Sequence, residues 1–517
     1  MNTTRTELLL PRRMTTTAVL DALSSRLSLD EGTGTQRDRR YYDTFDGLLR
    51  AAGVAFVHES GRLALVSIDD GVERAGLPAP EPPERVFAAE LEPGPLRDAL
   101  LPIIEVRALL PLMHIHSAQR GFGVLDADAK TVVRLALDAP EVVASPNRRL
   151  ALAPRIRIEA VRGYGKALTR VRKTLIDDLG LTAADRSVLD EAVIATGATP
   201  GGVSSKVDIA LARDQRSDVA VASVLRPLAA IMESNLPGTI ADIDSEFLHD
   251  YRVAVRRSRA VMRELKGVFP AEHLAHFRVE LRWLQQVTGP SRDLDVYVLD
   301  FDELRSGLPE PSRSDLEPLL RVLRDRRTIA HREMVRALRS DRAGGLRSQW
   351  PAFLNELVTM APEGRPAAAR PIGELAGERI TKVYRRMVKT GRAIDDSSPP
   401  EALHELRKQG KELRYLLELF GLPLHPGEVV KPFVRALKSL QDTLGAHQDR
   451  EVQIATLRSL RDEVSTLRGG AGALMAMGVL IEHLGGDERA ARAEFAQRFA
   501  SFASRSQRAL VRETFSS

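Results

Sequence analysis

Two histidine-led runs of basic residues share one spacing. His249, Arg252, Arg256 and Arg259 fall at offsets 0, 3, 7 and 10, and His404, Arg407, Lys411 and Arg414 repeat those offsets. At about 100° per residue, the four positions of each run gather on one narrow stripe of a helix. The apolar residues lie opposite: Ala254, Val261, Met262 and Leu265 in the first segment, and Leu406, Leu413, Leu416, Leu417 and Phe420 in the second. Solvated helix faces ordinarily interleave both signs, because opposite charges at i,i+4 stabilise a helix and like charges cost a few tenths of a kcal/mol. Neither stripe holds an acid at its four positions; Asp250, Glu405 and Glu412 lie off them. The chemistry implied is anion recognition. Guanidinium groups suit bidentate phosphate contacts and lysine acts as a point charge. Imidazole adds charge only when protonated, so affinity is expected to depend on pH. A third run, Arg379, Lys382, Arg386 and Lys389, has the same offsets.

The repetition extends downstream. Gly289 follows His249 by 40 residues and Gly445 follows His404 by 41. Acids stand four and six residues after each glycine, Asp293 and Asp295 in one case, Asp449 and Glu451 in the other. Seven residues before each glycine is a base (Arg282, Lys438), and four before is a glutamine (Gln285, Gln441). An offset of about 155 residues relates the halves, a tandem duplication. The glycines read as helix ends in the left-handed conformation and the aspartates as caps of the helices that follow.

These stripes need helices to carry them. From about residue 208 to 512 the chain is rich in Ala, Leu, Arg and Glu at the helical period, which predicts a helical domain of two stacked, pseudo-symmetric bundles with half-repeats at 208–360 and 370–512. Ser397-Ser398-Pro399-Pro400 reads as a break and helix start. Residues 1–195 read differently. Leu8 to Leu10, Val54 to Val57, Leu63 to Ile68, Thr131 to Leu137 and Arg155 to Glu159 are short strand-like runs, and Lys166 to Leu179 has a helical period. Pro78 to Pro83 is a loop, and 196–207, containing Thr199 to Ser205, a linker. The fold class expected is α+β, an antiparallel β domain, tunnel-like, followed by an all-α domain.

Composition bounds the function classes. The 517 residues are 43% hydrophobic and 28% charged, as in globular protein. A net charge of +5, from 75 Lys+Arg against 70 Asp+Glu, does not by itself argue for a polyanion, so arrangement must. No run of eighteen uninterrupted apolar residues occurs, and Met1 to Arg5 has no export core. Without cysteine, disulfides and thiolate zinc sites are excluded, and a reducing cytoplasm is the expected home.

The segments Leu248 to Arg257, Leu403 to Tyr415 and Leu440 to Asp449 resemble the CHAD family, the conserved-histidine α-helical domain, over roughly residues 208–512. The resemblance implies two helical bundles around a basic surface or pore that binds inorganic polyphosphate. It makes His249, Arg252, Arg256, Arg259, His404, Arg407, Lys411 and Arg414 the ligand-facing set, with Arg282 and Lys438 beside them. Arg257 and Lys408, which adjoin the stripes, and the third run complete the candidates.

The N-terminal region resembles the CYTH domain, the triphosphate-tunnel fold often fused ahead of a CHAD domain, through Tyr42-Asp43-Thr44 with Leu49 and Gly53, and through Leu135 to Asp138. That family implies a Glu-x-Glu-x-Lys strand that holds metal and triphosphate. Here the segment reads Arg5-Thr6-Glu7-Leu8-Leu9, the strand after Gly53 reads Ala55-Phe56-Val57-His58-Glu59, and the late acidic strand reads Arg155-Ile156-Arg157-Ile158-Glu159. With Glu7 and Glu159 alone, a catalytically dead tunnel is expected, with no cofactor and no enzymatic activity. His114 and His116 share one strand face without a third ligand, and Gly121-Phe122-Gly123 reads as a turn. The expected partner is therefore inorganic polyphosphate, at polyphosphate granules, with no membrane. A metal-dependent triphosphate hydrolase is the enzymatic alternative. Nucleic acid ranks below polyphosphate, because only Tyr251 and Tyr415 flank the stripes for stacking on bases.

Overall fold

A computed structural model describes residues 6–11, 14–198, 202–203, 207–395 and 397–515, divided into two compact units, Met1–Ser204 and Ser205–Ser517. Arg5, the Met1 to Arg5 segment and all of the expected linker core except Gly202 and Val203 lie outside the described residues. Each unit is described by itself.

The first unit is one antiparallel sheet. Its strands are β1 (Thr6–Leu9), β2 (Leu29–Asp43), β3 (Val54–Glu59), β4 (Arg62–Ser67), β5 (Glu73–Pro78), β6 (Val86–Phe87), β7 (Ala108–Leu125), β8 (Thr131–Ser145), β9 (Arg148–Ala151), β10 (Arg155–Ala160) and β11 (Thr182–Ala183). They run in the order β11-β1-β10-β8-β7-β2-β3-β4-β5, with β6 on β7 and β9 on β8. Five helices accompany them: α1 (Thr16–Ser24), α2 (Leu48–Ala51), α3 (Pro95–Ile104), α4 (Gly165–Lys173) and α5 (Val188–Ala195). Leu8, Leu135, Ile156 and Ile158 bury against α1 and α4, while Tyr42, Phe56 and Leu65 bury against α2 and α3. Gly121-Phe122-Gly123 is not a turn. It lies inside β7, paired with β2 across a β-bulge between Glu31 and Gly34. A Cβ on Gly32 would collide with the carbonyl oxygen of Gly121, so these glycines permit a close approach of bulged strands rather than a reversal.

The second unit is helical: α6 (Ser217–Ala241), α7 (Ser245–Glu264), α8 (Ala271–Val287), α9 (Gly289–Leu299), α10 (Phe301–Ser306), α11 (Glu310–Arg313), α12 (Glu317–Leu338), α13 (Asp341–Glu356), α14 (Ile372–Arg392), α15 (Pro400–Leu416), α16 (Leu422–Leu424), α17 (Gly427–Ser465), α18 (Gly470–Phe502) and α19 (Arg505–Phe515). The 155-residue offset carries α6 onto α14, α7 onto α15, α8 and α9 onto α17, and α12 onto α18. Local signals set the two stripe-bearing helices. Asp244 caps α7 by accepting from the amides of Glu246 and Phe247, and α15 starts on Pro400. The halves share a core: Val221, Leu225, Val255 and Leu281 from the first pack in one cluster with Ile380, Leu406, Phe420 and Phe433 from the second. A smaller cluster joins Phe301, Leu316 and Leu323 to Leu457, Leu460 and Leu480. Helix α6 is long and apolar enough to cross a membrane, and 56% of its most apolar window is buried in this unit.

The glycine–acid segments depart from the expected helix ends. Gly289 opens α9 and Gly445 sits inside α17, neither with positive φ, and their acids lie within the helices rather than capping them. A Cβ on Gly289 would sit 3.7 Å from Arg252 Nη1, and one on Gly445 3.6 Å from Arg407 Nη2. Each glycine thus leaves room for the stripe arginine of its own half.

Close helix contacts elsewhere also rest on glycine. A Cβ on Gly391 of α14 would fall inside the ring of Phe499 on α18. Gly391→Ala should therefore lower unfolding stability by about 1–3 kcal/mol, despite alanine's better helix propensity. Denaturant unfolding of the two proteins measures it, and equal or raised stability would contradict the packing.

Candidate functional site

Helices α7 and α15 pack against each other and turn their stripes toward one cavity of about 740 Å³. His249, Arg252 and Arg256 line it from α7, and His404, Arg407 and Lys411 from α15. The duplicated glycine segments complete its walls. Positions 3, 4, 7 and 8 after each glycine all reach the cavity: Arg292 and Gln448, Asp293 and Asp449, Val296 and Val452, Tyr297 and Gln453. The internal repeat is therefore a repeat of the site. Tyr297 ties the two halves together by donating to the Gln453 carbonyl at 3.1 Å.

The cations inside are unequally satisfied. Arg292 bonds the Ser245 carbonyl at 3.0 Å and pairs with Glu246 at 3.4 Å. Arg407 meets Asp449 at 3.0 Å, and Arg450 meets Asp487 at 3.4 Å. His404 Nδ1 is held by the Gln448 side-chain oxygen. By contrast, no described residue forms an ion pair with Arg252, Arg256 or Lys411. Arg252 donates only to neutral oxygens, the Gln285 carbonyl at 2.9 Å and Thr288 Oγ1 at 2.7 Å, and Arg256 Nε is buried without an acceptor.

Burial and crowding leave their mark on these groups. Burial, with Arg407 and Arg256 close by, pulls the Lys411 ammonium down to about 8. Burial also lowers Arg252 to about 10, with Asp293 opposing and Arg256 and Arg292 adding to the effect. Asp293 is raised by its own desolvation, with Arg252, Arg292 and Arg256 opposing the shift. The cavity wall also carries Asp300, Glu303 and Asp487, so the site is not uniformly basic. Its uncompensated charge is concentrated where α7 meets α15.

Other predicted residues fall outside. The fourth position of each stripe turns away: Arg259 donates to the Gln285 side-chain oxygen, and Arg414 lies 3.6 Å from Glu418. Arg257 meets the same Glu418 at 2.9 Å, so that carboxylate clamps α7 to the end of α15. Glu412 does the same through Arg263 and Arg386. Arg282 is exposed beside Arg259, and Lys408 is exposed and pairs with Glu405 at 3.5 Å. Lys438 lines a shallow surface hollow with Arg435 and Asp442. Arg379 is half-buried with its Nε unpartnered, Lys382 is exposed, and Lys389 lines a cleft against α19. The third run thus joins no common surface with the other two. Sequence reasoning missed Arg292, Arg450 and His483, which also line the cavity. Only Arg292 had a findable signal, its place three residues after the duplicated glycine.

The first unit holds a separate cavity of about 550 Å³, and several charges in and beside it pair with one another. Glu7 pairs with Arg155 at 3.3 Å and Arg157 at 3.4 Å, Arg155 reaches Glu191 at 2.5 Å, and Arg37 pairs with Glu59. Glu159 is exposed and does not line it. A carboxylate held by two guanidinium groups is poorly placed to take a divalent cation, so these residues do not fit a metal–triphosphate site. His114 is likewise engaged, by Asp38.

Residues 223–458 match the family model of the CHAD domain. Two curated relatives, the uncharacterized proteins Rv2226 and MT2285 of Mycobacterium tuberculosis strains H37Rv and CDC 1551, are each 30% identical over 210 residues, 40% of this chain and 38% of theirs. The chain thus matches less than two-fifths of those relatives' length. Among solved structures, the CHAD domain from the plant Ricinus communis is similar at 22% identity and TM-score 0.48, covering 58% of this chain and 96% of that one. PptA from Streptomyces chartreusis is similar at 21% identity and TM-score 0.44, covering 55% and 99%.

A lysine depressed in the fold sets a stability signature. Below about 8 the native state carries the cost of a charged, crowded Lys411; the cost fades as the proton leaves and is gone above the ordinary lysine value near 10.5. Lys411→Met should raise unfolding stability at pH 7 by about 1–3 kcal/mol in a buffer free of multivalent anions. The gain should vanish by pH 10.5. A variant less stable than the parent at pH 7, by denaturant unfolding, would show that Lys411 is not under strain.

Proposed function

We propose that the helical unit, whose residues 223–458 match the CHAD domain family model, binds inorganic polyphosphate in the cavity between α7 and α15, as a binding module rather than an enzyme. One observation carries the reading: Arg252, Arg256 and Lys411 are crowded in a partly buried cavity with no ion pair among the described residues, at a cost visible in the depressed Lys411 and Arg252. A chain of phosphates supplies what these groups lack, repeated oxygens at close spacing and a high density of negative charge. The duplication supports a linear ligand, since two equivalent halves present equivalent groups to successive units of a repeating chain. The imidazoles of His249 and His404, one per half, extend the same row.

The first unit does not compete for the ligand on this reading, because Arg37, Arg155 and Arg157 are already held by Glu59 and Glu7. Polyphosphate granules in the cytoplasm are then the place where the protein accumulates. The aromatic residues next to the stripes favour polyphosphate over nucleic acid: Tyr251 is buried, and Tyr415 is buried beneath Arg257 and Arg414, so neither is open to stack on a base.

The double variant Arg256→Glu, Lys411→Glu should weaken binding to long-chain polyphosphate by about 100-fold or more, measured by isothermal titration in moderate salt. Lys408→Glu, one turn along the same helix but outside the cavity, should stay within about three-fold of the parent. Equal losses in both proteins would mean that overall charge, not this cavity, binds the anion. Displacement of polyphosphate by single-stranded RNA at matched phosphate concentration would point to nucleic acid instead.

A further inference from the structure

The second unit has another basic concavity, formed with a helix outside the segment that matches the family model. Helix α19 lies against α14, and between them is a cleft of about 620 Å³. Arg385, Lys389 and Arg392 line it from α14, at offsets 0, 4 and 7, and Arg505, Arg508 and Arg512 from α19, at offsets 0, 3 and 7. Each triplet occupies one helix face, so two three-cation faces look at each other. Among the described residues, no carboxylate lines the cleft. Of the six bases only Arg512 forms an ion pair among the described residues, with its chain neighbour Glu513 at 3.9 Å. Facing like-charged helices is unusual, because surface helices in contact commonly place opposite charges across the seam.

Apolar residues hold α19 in place. Val511 and Phe515 are buried, the ring of Phe515 meets His425 edge-on, and its carbonyl oxygen occupies the space a Cβ would need on Gly377 of α14. The chain also enters α19 from buried Phe502 and Ala503, and Ser504 accepts from the Gln507 amide, so between these anchors it is the exposed face of Arg505, Arg508 and Arg512 that has nothing but the cleft opposite it. The cleft shares no lining residue with the cavity between α7 and α15.

We propose that the α14–α19 cleft is a second anion site, which takes a compact multivalent phosphate, a run of three or more linked phosphoryl groups, and on binding it fastens the first turns of α19 to α14. Guanidinium forks from both helices close on one anion, so the ligand bridges elements that repel each other when it is absent. The same chemistry is offered by free inorganic triphosphate and by the phosphate tail of a nucleoside triphosphate. The inference stands independently of the polyphosphate reading, since it uses different residues.

Hydrogen exchange of α19 in the full chain tests it, with inorganic triphosphate and, separately, ATP as probes. Triphosphate should slow exchange in the first turns of α19, in the parent and in Arg256→Glu, Lys411→Glu alike. In Arg505→Gln, Arg508→Gln, Arg512→Gln, whose substitutions are all at exposed positions, the concentration needed should rise about ten-fold or more. Equal protection by ATP supports a site for the phosphate chain from either source; protection by ATP alone would overturn the assignment, because the nucleoside would then be what is recognised. Unchanged exchange of α19 at saturating triphosphate would overturn it, as would protection that disappears in the Arg256, Lys411 variant, which would place the anion in the other cavity.

Discussion

Mutual repulsion among Arg252, Arg256 and Lys411 is the constraint around which the helical unit is arranged. Three cations at the meeting of two helices would drive those helices apart unless something outside the cavity held them. Two carboxylates do this at one end: Glu418 takes Arg257 and Arg414, and Glu412 takes Arg263 and Arg386. The apolar faces of α7 and α15 do the rest, in a core common to both halves. Arg257, Arg263 and Arg414 are thus paired and serve as clamps, while Arg252, Arg256 and Lys411 form no ion pair among the described residues. On the proposed function, a site built this way trades stability for affinity, and a bound polyanion would stabilise the fold that holds it.

Much of this was legible in the sequence, for a physical reason. A helix places offsets 0, 3 and 7 on one stripe whatever surrounds it, so six cavity residues could be named from spacing alone. The fourth position failed because offset 10, although on the same stripe, lies about 15 Å along the axis from offset 0, past the cavity, where it meets Gln285 in one half and Glu418 in the other. The third run failed because periodicity says that Arg379, Lys382, Arg386 and Lys389 share a face of α14, but not which neighbours that face meets. The duplicated glycines were found correctly and read wrongly. Glycine before an acid resembles a helix end, yet Gly445 lies in the middle of a 39-residue helix, where its missing side chain makes room for Arg407. Such space-making is a tertiary property with no local signature.

In the β unit the short strands were visible as apolar runs, whereas long β2 and β7 were not. Their polar, glycine-containing stretches lack the alternation that marks a half-buried strand. The ion pairs of that unit's cavity were also beyond sequence reading, because Glu7 and Arg155 are brought together only by antiparallel pairing of β1 with β10. Those pairs turn what the N-terminal resemblance presents as lost residues into a structural feature, an interior where Glu7, Arg155, Arg157 and Glu191 are joined in one ion-pair network.

The most direct test of the account is the proton balance of binding. A polyanion seated among Arg252, Arg256 and Lys411 must raise the lysine from its depressed value toward the ordinary one, so near pH 8.5 binding takes up protons from the buffer. Isothermal titration of polyphosphate in buffers of different ionisation enthalpy measures that uptake. The account predicts uptake approaching one proton per cavity in the parent and a large reduction in Lys411→Arg, whose guanidinium is charged throughout. Binding without uptake at pH 8.5, or the same uptake in both proteins, would contradict the placement of the anion at these three residues.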